Sequence, residues 1–441
     1  MVCHAIDMAT IKWFPLTFTA ILLLLSLDFI LGFTNNGFRE IYSSPTLYSI
    51  KFRVSRNYLD SSATRSNSNQ PTFPIRQCMS SQGDNENDST VSTAPTAYNN
   101  ERNTKQAIEA LMARYDPILL FASKLLPSDK AADASALYAW CRRLDEICDN
   151  PDTADNPEVV MKELETWQAR FDALWTNTKH ESMIDYPQDE YLMDLALKDC
   201  IEKYQGSEKS SSDNSFLTRI PFDDMIEGMK SDAVTGRRIQ TLNELELYAY
   251  QVAGTVGLML LPLLLSEETN VSSATKEDRK KQQIRNMERA REPAICLGQA
   301  IQLVNILRDA TQDAKLGRIY LPLDMLRVNG VNEDQIFRVV GQDSQTTITP
   351  PNGYTAVVQE VSDRARELLA IAESGKDTLP PPLGPLFVQI IVELYRDYLD
   401  ELRRRGYDNL SSNDGSDRVK IGTVRKIKAS LRALAKVVVL G

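Results

Sequence analysis

Histidine is nearly absent: His4 and His180 are the only two in 441 residues, and they do not stand at ligand spacing. That excludes a zinc site of the usual kind and nucleophilic catalysis built on Ser-His or Cys-His pairs. The six cysteines (Cys3, Cys78, Cys141, Cys148, Cys200 and Cys296) form no C-x-x-C, and most fall within apolar helical patterns. They read as buried thiols in a reducing compartment. No basic run interleaved with aromatics occurs and the net charge is −10, so no nucleic-acid partner is expected. A Gly-rich phosphate loop and a Walker motif are also missing, which disfavours nucleoside triphosphates. β-Branched residues alternate with polar ones nowhere for long, so no strand is expected.

What is present is a chain 42% hydrophobic and 25% charged, with ample material for a core. Its start is atypical of a folded domain. Lys12 precedes an apolar run from Trp13 to Leu27 that is shorter than the ~20 residues of a membrane span, and small residues around Gly32 offer a cleavage site before Phe33. Residues 1–32 therefore read as a signal peptide. Residues 33–100 are rich in Ser, Thr, Asn and Pro, basic and acid-poor as far as Cys78, and unable to bury enough apolar surface to order themselves. They read as a plastid transit peptide or, on composition alone, as a disordered linker. A signal peptide followed by such a stretch, with Phe directly after the cleavage point, resembles the two-part leaders of algal plastid proteins.

After Asn103 the pattern turns helical and stays so, with a first segment capped by Asn103 or Thr104 and running to Leu126, and amphipathic runs at 129–149, 157–176, 189–204, 222–232, 242–265, 276–314, 354–374, 385–406 and 419–439. Residues 101–441 are expected to form one all-α domain. The final ALAKVVVLG is too short an apolar tail to anchor in a membrane.

Two helical segments carry acids at i, i+4. In the stretch from Gln299 to Pro322, Gln302, Asn305, Asp309 and Asp313 share one face, while Ile301, Leu303, Val304, Ile306 and Leu307 cover the rest with aliphatic surface. A helix of that kind belongs inside the protein, where unpaired carboxylates call for a cation. In LYAWCRRLDEICD, Asp145 and Asp149 repeat beside an apolar stripe of Leu137, Cys141, Leu144 and Cys148, with Tyr138 and Arg142 one turn back. A lone D-x-x-x-D is most often a solvated face. Two of them meeting across a bundle core would repel by about 3 kcal/mol per pair at 6 Å and an effective dielectric near 20, so they imply divalent cations. Oxygen-only ligands select Mg²⁺ (or Mn²⁺), and magnesium so held completes its shell with water and phosphate oxygens. A diphosphate substrate is implied, with Arg142, Arg308, Lys315 and Arg318 placed to neutralise it.

A third element is LELYAYQVAGTVGLMLLP, residues 245–262. Ala253, Gly254 and Gly257 form a notch that suits close approach of another helix or a bulky ligand. Tyr248 and Tyr250 precede it. Two readings stay open for them: rings that stabilise a carbocation in a dry cavity, or core packing with one hydrogen-bonded hydroxyl.

The combination CRRLDEICD, PFDDMIEGM, YAYQVAGTVG and NILRDATQDAKLGRIYLP resembles the squalene and phytoene synthase family, most of all its plant and algal phytoene-forming branch, from about Leu125 to Val439. The resemblance implies an isoprenoid synthase-type helical bundle around a central cavity, joining two geranylgeranyl diphosphates head to head through prephytoene diphosphate to phytoene. It implies metal binding by Asp145, Asp149, Asn305, Asp309 and Asp313, and substrate binding by Arg142, Gln302, Asn305, Arg308 and Arg318. The four aspartates and Tyr248 would be catalytic. It also implies a plastid location, in the stroma or peripheral on a thylakoid or envelope membrane, with other carotenoid-pathway enzymes as further partners. One stretch departs from the family pattern: Pro117-Ile118-Leu119-Leu120 replaces the polar and aromatic run expected on the first helix. The competing expectations are squalene or dehydrosqualene synthesis from farnesyl diphosphate, and a non-catalytic assembly factor of the same fold, whose mark would be loss of the aspartates.

Overall fold

Twelve α-helices and no strand are present among the described residues, in line with the all-α expectation. The computed structural model describes residues 108, 128–148, 150, 156–176, 188–205, 216–234, 237–266, 276–341, 349–381, 383–411 and 418–439. All of them belong to the unit Asn100–Gly441. The expected leader, the first helical segment apart from Ile108, with its Pro117–Leu120 stretch, and Asp149 lie outside the described residues.

The first four helices, α1 (Ser128–Cys148), α2 (Pro157–Trp175), α3 (Gln188–Tyr204) and α4 (Ile220–Asp232), pack around aromatic rings. Phe171 stacks on Phe222 at 4.8 Å between centroids, and Trp140 meets Phe222 edge-on at 5.0 Å. Leu137, Cys141, Leu144 and Cys148, the apolar stripe of α1, are all buried in this cluster. Each such side chain stabilises the fold by roughly 1.5–3 kcal/mol through burial, which fixes the rotation of α1.

The centre of the molecule is the apolar run Leu242–Leu265. It starts at Thr241, whose side chain caps the Glu244 N–H at 3.2 Å, and comprises α5 (Leu242–Ala249), a π-helical turn (Tyr250–Gly254) and α6 (Thr255–Leu265). By length and composition it could cross a membrane. Here it serves as a shared wall: Leu258, Leu261 and Leu265 join one apolar cluster, Met259 and Leu263 the other. The cluster of Leu258, Leu261 and Leu265 gathers α7 (Lys276–Lys315), α8 (Leu323–Val328), α9 (Glu333–Val340), α10 (Tyr354–Ser374), α11 (Leu383–Arg404) and residues up to Val419. A final helix, α12 (Thr423–Val439), packs along α11.

The notch of small residues is filled by another helix. A Cβ at Gly257 would lie 2.5 Å from the Ala294 carbonyl oxygen, and one at Gly298 would lie 2.3 Å from that of Ala253. Glycine at these positions lets α7 press backbone to backbone against the π turn and α6. Two features escape a pattern search. Helices α8 and α9 are six and eight residues long, too short to show a period, and the π turn is invisible to a 3.6-residue template.

Candidate functional site

Helices α1 and α7, which carry the two acidic motifs, both pack on α6. On α7 the buried residues Leu303, Val304, Ile306, Leu307, Thr311 and Ala314 leave Gln302, Asn305, Asp309 and Asp313 as a half-buried stripe. The Oδ1 atom of Asn305 is buried without a hydrogen-bond partner. One turn later Asp309 is held by two arginines: Arg308 forks onto it at 2.8 and 2.7 Å, and Arg418 lies 3.2 Å away. Burial works against the Arg308 charge, but the hydrogen bonds and charge of Asp309, with Tyr395 and Tyr398, together more than offset it and keep the guanidinium protonated.

Asp313 differs from its neighbour. Burial, then the charges of Asp309 and Asp232, push its carboxyl up to about 7, with Arg318 and Arg418 offsetting only part of the rise.

Asp232, the last residue of α4, links this corner to the tyrosines. Tyr320 donates its hydroxyl to both Asp232 oxygens, at 3.1 and 3.2 Å, and stacks on Tyr248 with ring centroids 5.5 Å apart. Each of the two hydroxyls bears on the other electrostatically. Burial and the Asp232 charge raise Tyr248 well above the ordinary phenol value, so it remains a neutral O–H at physiological pH. Arg237 lies over the Tyr248 ring at 4.8 Å, and its Nη1 is buried without a hydrogen-bond partner. Tyr250 instead donates to Asp224 at 2.6 Å and takes the hydrogen-bonded packing role.

Asp309, Asp313, Arg308, Arg318 and Tyr248 thus fall in one connected neighbourhood, with Gln302 and Asn305 on the turns leading into it. On α1, Arg142 and Asp145 pair at 3.6 Å, with Asp145 retaining 40% of its side-chain exposure. Lys315 is exposed. Among the described residues no three His, Cys, Asp or Glu side chains converge as a ready-made cation site. The donor set of carboxylates plus the open Asn305 oxygen fits a hard divalent ion, which would favour the charged form of Asp313 against the burial and neighbouring acids that raise it.

Four residues of this neighbourhood carried little signal. Asp232 closes the helix that begins PFDDMIEGM, three residues beyond the quoted motif, and Tyr320 lies inside RIYLP. Arg237 and Arg418 lie outside the helices, where spacing says nothing.

The squalene/phytoene synthase family model matches residues 112–425. A phytoene synthase of Arthrospira platensis is 31% identical over 299 residues, covering 68% of this chain and 83% of that one. Phytoene synthase 1, chloroplastic, of Arabidopsis thaliana is 31% identical over 325 residues, covering 74% of this chain and 64% of the relative. Among solved structures, a dehydrosqualene synthase in complex with ligand superposes with a TM-score of 0.56 at 23% identity, covering 77% of this chain and 98% of that one, which shows a common fold.

Proposed function

Because the chain belongs to the squalene/phytoene synthase family, we propose that it joins two geranylgeranyl diphosphates head to head, through prephytoene diphosphate, to 15-cis-phytoene and diphosphate, opening carotenoid synthesis. It is a prenyltransferase. The observation that carries the site assignment is the close set of Asp309, Asp313 and Asp232, in which burial and the neighbouring acids raise Asp313, flanked by two buried polar atoms that lack partners, Asn305 Oδ1 and Arg237 Nη1. One accepts and one donates, which suits a cation and its anionic substrate together.

In this reading Asp309, Asp313 and Asn305, with Asp145 and Asp149 of the other motif, hold Mg²⁺ (or Mn²⁺), which supplies charge neutralisation to the departing diphosphate. Arg308, Arg318 and Arg142 bind diphosphate oxygens, and Gln302 lines the polar end of the cavity. Tyr248 offers its ring face to the allylic cation left behind and, being held neutral, keeps its hydroxyl as a donor beside the Tyr320–Asp232 pair.

The plant relatives are named chloroplastic, which supports a plastid location. Peripheral membrane attachment follows from the insolubility of a C40 hydrocarbon, and contact with other carotenoid-pathway enzymes would serve its onward transfer. Incubating the purified protein with Mg²⁺ and either geranylgeranyl or farnesyl diphosphate tests the assignment. Phytoene from the longer substrate is expected; squalene or dehydrosqualene from the shorter one, or no hydrocarbon, would overturn it.

A further inference from the structure

The segment between α11 and α12 grips α7 from behind, at the turn that carries Asp309. Asn409 Nδ2 donates to the Leu307 carbonyl at 2.8 Å, and the Val419 N–H donates to the Arg308 carbonyl at 3.0 Å. Thr311 Oγ1 donates in return to the carbonyls of Asn409 and Leu410, at 3.1 Å each. Asn409 and Thr311 are 3% and 4% exposed, so these bonds are shielded from water.

In an α-helix, Leu307 and Thr311 lie one above the other, and Asp309 projects about 200° around the axis from Leu307. Extra bonds on one side of a single turn therefore set the rotation and height of the carboxylate on the other. The gripping turn is itself held in an uncommon conformation. Gly406 and Tyr407 both take left-handed backbone angles, φ 62° and 63°, which for tyrosine costs roughly 1–2 kcal/mol. Asp408 Oδ1 then accepts the N–H groups of Leu410 and Ser411, at 3.0 and 2.9 Å, locking the turn. Asn409 Oδ1 has no partner, so the amide serves as a donor.

We propose that Asn409 and Thr311 are positioning residues: acting through the α7 backbone, they hold Asp309 in the geometry that receives the divalent cation. The proposal rests on the reading that Asp309 is a metal ligand. Losing a partner that orients a ligand lowers metal affinity about 10–100-fold in known sites, which sets the expected scale.

The test is Mn²⁺ binding to the substrate-free protein, followed by electron paramagnetic resonance of the free ion, alongside the Mg²⁺ concentration for half-maximal activity. Thr311→Val, nearly isosteric but without the hydroxyl, and Asn409→Asp, whose carboxylate would oppose the Leu307 carbonyl, should each weaken Mn²⁺ about ten-fold. Thr311→Ser, which keeps the donor and loses a methyl group, should stay within about two-fold of the parent. A purely structural role predicts that melting temperature falls while Mn²⁺ affinity does not, and that result in Thr311→Val overturns the proposal even if Asn409→Asp fails to fold. Asp309→Asn separates the two layers. If it abolishes Mn²⁺ binding while Thr311→Val leaves it intact, the positioning role alone is wrong; if Asp309→Asn binds Mn²⁺ as the parent does, the metal assignment falls and the proposal with it.

Discussion

Two helices of this molecule carry buried acids at i, i+4 spacing, and they have opposite fates. On α11, Gln389, Glu393, Asp397 and Glu401 form a stripe in which every member is buried. Facing them, α12 supplies Arg432 to Glu393 and Asp397 at 2.8 Å, Lys436 to Glu393 at 2.8 Å, and Arg425 to Glu401 at 2.5 Å. Glu373 of α10 joins through Arg396 and Lys436. Burial alone would raise these carboxyls, but the hydrogen bonds and charges of Arg396, Gln389 and Lys436 bring Glu373 down to about 2, and those of Arg432 and Lys436 lower Glu393. On α7 the balance is reversed, and Asp313 rises to about 7. Spacing on a buried face therefore does not identify a metal site. What separates the two stripes is the sign of the shift: on α11 paired cations hold Glu373 and Glu393 below the ordinary carboxyl range, while on α7 burial and the neighbouring acids hold Asp313 above it.

The sharpest way to break this contrast is to neutralise one acid in each set. Asp309→Asn should lower phytoene formation by roughly 10³-fold while the protein stays folded, because a ligand to the proposed cation is lost and an isostere replaces it. Glu393→Gln should do the reverse, with turnover per folded molecule nearly unchanged and stability lower by about 2 kcal/mol in urea unfolding. That is less than the roughly 3–5 kcal/mol of a fully buried broken pair, since Arg432 and Lys436 keep 44% and 38% of their side-chain exposure.

The two sets should also respond to pH with opposite sign. Glu373 is depressed in the folded state, so its contribution is present above about 4.5 and is lost as pH falls toward about 2. Asp313 is raised from 3.8 to about 7, so the folded, metal-free protein binds the extra proton in that interval and loses stability as pH rises through it. Melting temperatures measured in a chelator from pH 4 to 8, for the parent and for Asp313→Asn, isolate the second effect; the difference should grow up to about pH 7 and then level off. Mn²⁺ affinity should climb over the same interval and flatten above it, because the ion displaces that proton. The smallest effect is expected from Asp313→Asn itself, a modest rise in melting temperature near neutral pH from removing a carboxylate whose charged form burial and the neighbouring acids disfavour. A fall instead would mean that Asp313 is already matched.

Much of this could be read from residue order. Helix positions, the buried stripe of α1 and the half-buried stripe of α7 follow from periodicity, because burial of Leu137, Leu144, Leu303 and Leu307 dictates how each helix is turned. The notch at Gly254 and Gly257 announced a close neighbour, though not that α7 would fill it. What stayed hidden depends on pairs distant in the chain. Asp232 lies about eighty residues before Asp313, and Arg418 more than a hundred after Asp309, so no local window joins them. Glu393, Asp397 and Glu401 repeat at the same spacing as the proposed metal ligands, and only the register of α12 against α11 reveals that they are ion-paired.

The most direct test is a crystal of the protein soaked with Mn²⁺ and inorganic pyrophosphate, with the anomalous signal of manganese mapped. Peaks beside Asp309, Asp313 and Asn305, and none along Glu393 to Glu401, are the predicted result. Manganese on the α11 stripe, or none at Asp309 and Asp313, would contradict the account.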